Sequence, residues 1–274
     1  MTEPETATKQ IIEGIFDGAA KSYNRVGPEI FTQFGARLVE RVPLVPGARV
    51  LDVATGTGAV LLPAARRVGQ RGHVTGVDLS GGILREAERV VREAGIENVE
   101  LRKMDAEHLE FPDKAFDAVT CAFGLFLFPD RNAALHEMHR VSKPDGCLAV
   151  TYFHKTPTPF DPGIPILMKQ FSDYRIGLRL PQALACTTQE IEALLSGIGF
   201  RSIRTFTETN DIVYGKVEDW WEFVLTLMPR GPIMGMSEER RSRFRDEYLE
   251  KLRPLVRKDG LHISLGIVYA LAKR

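Results

Sequence analysis

No sign of charge dominates this chain: 36 Lys and Arg offset 36 Asp and Glu, for a formal net charge of zero. It therefore lacks the basic footprint of a nucleic-acid binder. No apolar run approaches the roughly 18 residues that a membrane span requires. The first residues, MTEPETATKQ, have neither the basic start nor the apolar centre of a secretory leader. Cysteine is scarce. Cys121, Cys147 and Cys186 show no CxxC spacing, which favours buried reduced thiols over a metal centre or a disulfide framework. Internal repeats and low-complexity tracts are missing from the 274 residues. What remains is a cytoplasmic globular protein, a monomer or homodimer, with a small molecule rather than nucleic acid or membrane as its partner.

What is present is an alternation. After a short disordered tail, IIEGIFDGAAKSYNRV carries Ile11, Ile12, Ile15 and Phe16 at helical spacing, and GPEIFTQFGARLVERV reads as a second helix. From Arg49 onward strands and helices take turns: RVLDVA, AVLLPAARRV, HVTGVDL, ILREAERVVREAG, VELRKM, FDAVTCAF, NAALHEMHRVS and GCLAVTYF. Short Val- and Leu-rich strands between helices predict a doubly wound, mostly parallel α/β sheet covered on both faces. The texture then changes. HKTPTPFDPGIP, with four prolines, reads as a long loop. TTQEIEALLSGIGF is a helix with a capping box, Thr187 as N-cap and Glu190 at the third position. A sixth strand, RSIRTFTETN, precedes about 45 helical residues, and LHISLGIVYALAKR closes a seven-stranded sheet. The expected units are 1–45 (helices over the site), 46–154 (core), 155–215, a helical insertion at 216–260 serving as a lid, and the last strand at 261–274.

Ligands of open α/β sheets bind at the carboxyl ends of the strands, where chain order switches direction. The turn after the first strand, VLDVATGTGAV, lies there. Gly56 and Gly58 permit positive φ and remove side chains that would block a close approach. Asp78 ends the second strand 20 residues after Gly58, where a carboxylate accepts from ribose hydroxyls. Leu61 occupies the place where a dinucleotide fingerprint needs a third small residue, and no Lys completes a P-loop. Asp105 follows the third strand, where an acid can accept from an exocyclic amine.

This set, with GVDLSGGIL, MDAEHLEFPDKAFDAV, AFGLFLFPD and EMHRVSKPDGCLAV, resembles the class I S-adenosylmethionine-dependent methyltransferases. Within them it is most similar to the group around the ubiquinone and menaquinone biosynthesis C-methyltransferases (methyltransferase type 11). The resemblance implies S-adenosyl-L-methionine as cofactor, leaving as S-adenosyl-L-homocysteine. It implies that Asp52, Ala54, Gly56, Thr57 and Gly58 surround the methionine end, with Asp78 on the ribose and Leu79 and Ile83 against the adenine. Asp105 and Ala106 would read the adenine edge, the Ala122 carbonyl the methionine amine, and Tyr23 would close over the cofactor.

Methyl transfer from a sulfonium is an in-line displacement, so the protein mainly aligns the partners and excludes water. A base is needed only where the acceptor must lose a proton. His154, directly after the fifth strand, is the candidate base, with Tyr152 as its companion. Phe123, Phe126 and Trp220 are candidate acceptor contacts. No metal is expected. The quinone methylases' YDxMN stretch and Glu-Phe-Ser ending are replaced here by SYNRV and Tyr152-Phe153-His154. Every such departure falls in the acceptor region. The sequence therefore points to a small, apolar or aromatic acceptor methylated at O, C or N. The alternatives are a quinone-pathway C-methylase and a non-methylating protein on the same scaffold.

Overall fold

The computed structural model describes residues 3–178 and 182–274, with side chains from Thr6 onward. In chain order its elements are α1 (Glu3–Ala19), α2 (Ile30–Arg41), β1 (Arg49–Val53), α3 (Leu61–Val68), β2 (His73–Asp78), α4 (Gly81–Glu93), β3 (Val99–Lys103), β4 (Phe116–Ala122), α5 (Arg131–Val141) and β5 (Ser142–His154). Then follow α6 (Gly163–Asp173), β6 (Ala185–Cys186), α7 (Thr188–Ile198), β7 (Arg201–Tyr214), α8 (Val217–Val224), α9 (Arg230–Met234), α10 (Glu238–Leu252) and β8 (Leu261–Lys273).

The strands lie in the order β3-β2-β1-β4-β5-β8-β7, with the two-residue β6 paired to β5. β1 to β5 are mutually parallel, and β8 runs antiparallel to both β5 and β7. The physical basis is plain in β1, where Val50, Leu51 and Val53 are fully buried because helices cover both faces. β7 is an edge strand, and much of it is exposed. Because β1 to β4 are parallel, their carboxyl ends share one edge. Chain order reverses between β1 and β4, which opens the crevice there. No described helix is long and apolar enough to cross a membrane.

Several expectations need correction. The N-terminal residues do not form a disordered tail: α1 begins at Glu3 and carries Lys9 into a buried position. The proline-rich stretch ends in a helix, α6, because its prolines fall before or within the first turn, where backbone N–H groups have no intrahelical acceptor. The capping box at α7 is present as read. The insertion before β8 forms α8 to α10, with Phe244, Tyr248 and Leu252 buried on one face of α10, whereas Leu255 is exposed.

Candidate cofactor and acceptor site

The turn after β1 is built from left-handed residues: Ala54 at φ 54°, Gly56 at φ 56° and Gly58 at φ 97°. Ala54 holds that conformation against its own Cβ, a strain that folds retain where a ligand site over-determines it. Phe123, just past β4, is left-handed as well, at φ 57°. Asp78 ties the turn to β2. Its Oδ2 accepts from the Gly56 N–H at 3.0 Å, and its Oδ1 accepts from the Ser80 N–H at 3.0 Å. Burial pushes the Asp78 carboxyl up from its ordinary range. Asp52 lies behind the turn. It accepts from the hydroxyls of Thr55 (2.6 Å) and Thr120 (2.7 Å), and burial, partly offset by those bonds, raises it to about 6.

A cleft of about 90 Å³ runs along this edge, lined by Ala54, Gly56, Asp78, Leu79, Ile83, Asp105, Ala106 and Ala122, among others. It combines apolar plates with carboxylates at the ends of β2 and β3. That donor and acceptor set fits a nucleoside carrying ribose hydroxyls and an exocyclic amine. The mouth is closed by α1. Lys9 Nζ donates to Asp105 Oδ2 at 2.7 Å and also to Glu107. Burial opposes the Lys9 charge, yet the bonds to the two acids more than compensate and its pKa is raised. Asp17, on the same helix, accepts from the Ser80 hydroxyl at 2.5 Å and from the Gly82 N–H at 2.7 Å.

A second cavity of about 640 Å³ adjoins the first, and Phe16, Tyr23, Phe123 and Leu127 line both. Its wall is largely aromatic and aliphatic: Phe31, Phe126, Phe153 and Phe160 from the core, with Ile164 and Met168 from α6. From the insertion only the stretch Leu227–Pro229 reaches it. Tyr23 stacks on Phe31 with centroids 5.6 Å apart and rings nearly parallel. Burial pushes the Tyr23 phenol well above its ordinary value, with the Asp78 charge adding to the effect, so the phenol stays protonated.

The remaining sequence candidates lie elsewhere. Thr57 and Gly58 face a separate hollow on the far side of the turn, beside Asn24 and Glu86. His154 lines neither cavity. Its Nδ1 lies 2.6 Å from the Thr156 carbonyl oxygen and 3.1 Å from the Thr156 nitrogen, so the ring is engaged by its own loop. The Tyr152 hydroxyl donates to the Ala183 carbonyl at 2.8 Å, and burial pushes the phenol up to about 12. Trp220 is fully buried in α8, and its Nε1 donates to the Tyr248 hydroxyl at 2.7 Å. A further histidine, His262 at the start of β8, lies between Asp211 (2.6 Å) and Asp259 (2.9 Å) and lines neither cavity. Sequence reasoning missed Lys9, although Lys9, Ile12 and Phe16 share one helical stripe at i, i+3 and i+7, and all three line the cleft.

The sequence profile of the ubiE/COQ5 methyltransferase family matches residues 5–210. The chain belongs to that family. It is an S-adenosylmethionine-dependent methyltransferase of the class I fold. An aklanonic acid methyltransferase from a Streptomyces species is 32% identical over 214 residues, covering 74% of this chain and 97% of the relative. A demethylmenaquinone methyltransferase from Listeria welshimeri is 37% identical over 149 residues, covering 53% of this chain and 63% of the relative. Among solved structures, the YcgJ protein of Bacillus subtilis shares the fold, with a TM-score of 0.60, 22% identity and coverage of 88% of this chain and 98% of that one.

Proposed function

We propose that this methyltransferase acts on a small, planar, apolar metabolite held in the aromatic cavity, with the adenosyl group of the cofactor in the neighbouring cleft. The observation that carries this reading is the wall the two cavities share. Tyr23 and Phe123 border both, so a donor on one side and an acceptor on the other can meet there in line. The acceptor cavity, at about 640 Å³, falls in the range of sites for drug-sized ligands. Asp78 would hold the ribose, Asp105 the adenine edge, and Leu79 and Ile83 the adenine faces. The cofactor supplies an activated methyl group. The chain's own share is to bind, align and keep water away, through Phe31, Phe123, Phe126 and Phe153. The aklanonic acid enzyme is a relative whose named substrate is an organic acid.

The test is to fill the acceptor cavity without touching the cleft. Ile164→Trp should raise the KM for planar aromatic acceptors by about tenfold or more through lost space, while the Kd for S-adenosylmethionine stays unchanged. An acceptor KM indifferent to this substitution would remove the cavity from the reaction.

A further inference from the structure

The acceptor cavity is poor in ionisable groups. Among the described residues that line it, only Tyr23 titrates, and only Gln182 carries another polar side chain. Gln182 cannot serve as a base, and its Nε2 is already donated to the Pro129 carbonyl at 3.0 Å. Burial holds the Tyr23 phenol protonated, so it can donate a hydrogen bond but cannot take a proton near neutrality. The nearby histidine, His154, is turned into its own loop. The buried acid Glu107 faces the cofactor cleft and is engaged by Lys9 and the Asp130 N–H.

Among the described residues that line this cavity, an acceptor that must lose a proton finds no side chain to receive it. We propose that the acceptor arrives already ionised: an oxyacid, either a carboxylate or an enolised 1,3-dicarbonyl, on a planar apolar frame. This rests on the assignment of the aromatic cavity as the acceptor site. An oxygen lone pair of the anion forms the new O–CH3 bond as the methyl–sulfur bond breaks, and the bonding electrons return to sulfur. One negative and one positive charge disappear, and no proton moves. An apolar cavity suits that reaction, because two opposite charges with little water between them become two neutral groups. It suits an amine acceptor poorly. A neutral amine would become a cation in an apolar wall whose described residues include no carboxylate to pair it.

The experiment is a binding comparison by calorimetry. The protein is saturated either with sinefungin, which carries an amine at the methyl-donor position, or with neutral S-adenosylhomocysteine. 2-Naphthoic acid, 4-hydroxycoumarin and methyl 2-naphthoate are then titrated in. The charge at the donor position should tighten binding of an accepted anion by about tenfold or more, and leave the ester unaffected. A preference confined to naphthoate identifies a carboxylate, and one confined to hydroxycoumarin an enolised dicarbonyl. Turnover of the preferred acid should be independent of pH between about 6 and 9 on the acceptor side. Equal affinity of both anions for the two complexes overturns the proposal. So does turnover of 2-naphthol that levels off below the phenol's own pKa, since that requires a base. The cavity assignment fails separately, if Ile164→Trp leaves acid binding intact.

Discussion

Asp52 is a buried carboxyl whose pKa sits at about 6, raised by burial against the bonds from Thr55 and Thr120. The folded state therefore holds a proton there that the unfolded chain, with an ordinary value near 4, releases earlier. Stability falls as pH rises from about 4 to about 6, because the native protein must then bury a charge. A cationic ligand beside the turn reverses the preference, since it favours the ionised carboxylate, and the raised Asp78 adds in the same direction. Affinity for S-adenosylmethionine should accordingly climb through this window, with a Kd roughly tenfold weaker at pH 5 than at pH 7. Titration calorimetry across the range checks this, and a flat profile would mean that Asp52 does not sense the cofactor. Ala54, Gly56 and Asp78, which line the cleft, were legible as candidates because φ, charge and strand position mark them locally, whereas Thr57 and Gly58 face another hollow. Lys9 was not legible, because its role depends on two acids about a hundred residues away.

At the scale of elements, the aromatic pair of α8 shows where sequence reading stops. Trp220 and Trp221 point in different directions, yet both are buried, because α8 is sandwiched between β7 and α10. Trp220 was expected in the acceptor wall. It instead locks three elements: its Nε1 donates to Tyr248 on α10, whose hydroxyl donates to the Gly163 carbonyl at the start of α6. Gly163 is small for this reason, since a Cβ there would stand 2.3 Å from the Trp220 ring. Trp220→Ala should cost about 3–5 kcal/mol of stability from the lost volume, measured by urea unfolding. A cost below about 1 kcal/mol would show that these helices dock without it. α6 escaped prediction because Pro and Gly signal loops in general, while its first turn tolerates both.

For the whole molecule, the decisive feature is that α1 closes over the cleft while bonded to the residues expected to hold the cofactor. Asp105 is engaged by Lys9, and Asp17 caps the start of α4. With the cleft at about 90 Å³, against several hundred Å³ for typical ligand sites, displacement of α1 is the expected accompaniment of cofactor entry. Lys9→Met should therefore speed both association and release of S-adenosylmethionine by roughly several-fold in stopped-flow traces, as expected for a weakened lid. Unchanged rates would mean that entry bypasses α1. The doubly wound, mostly parallel sheet was readable from the alternation of strands and helices, whereas the strand order came from the structure. Helices over the site were expected within 1–45, but the Lys9 ion pairs that fasten α1 were not, since periodicity does not encode long-range pairs.

The most direct test of the account is calorimetric titration of S-adenosylmethionine into the protein and into its Asp78→Ala variant. The account predicts micromolar binding to the native chain and a loss of at least about 1.5–3 kcal/mol in the variant, the contribution of a charged hydrogen bond. Equal affinity in a folded variant, or no binding to either, would contradict it.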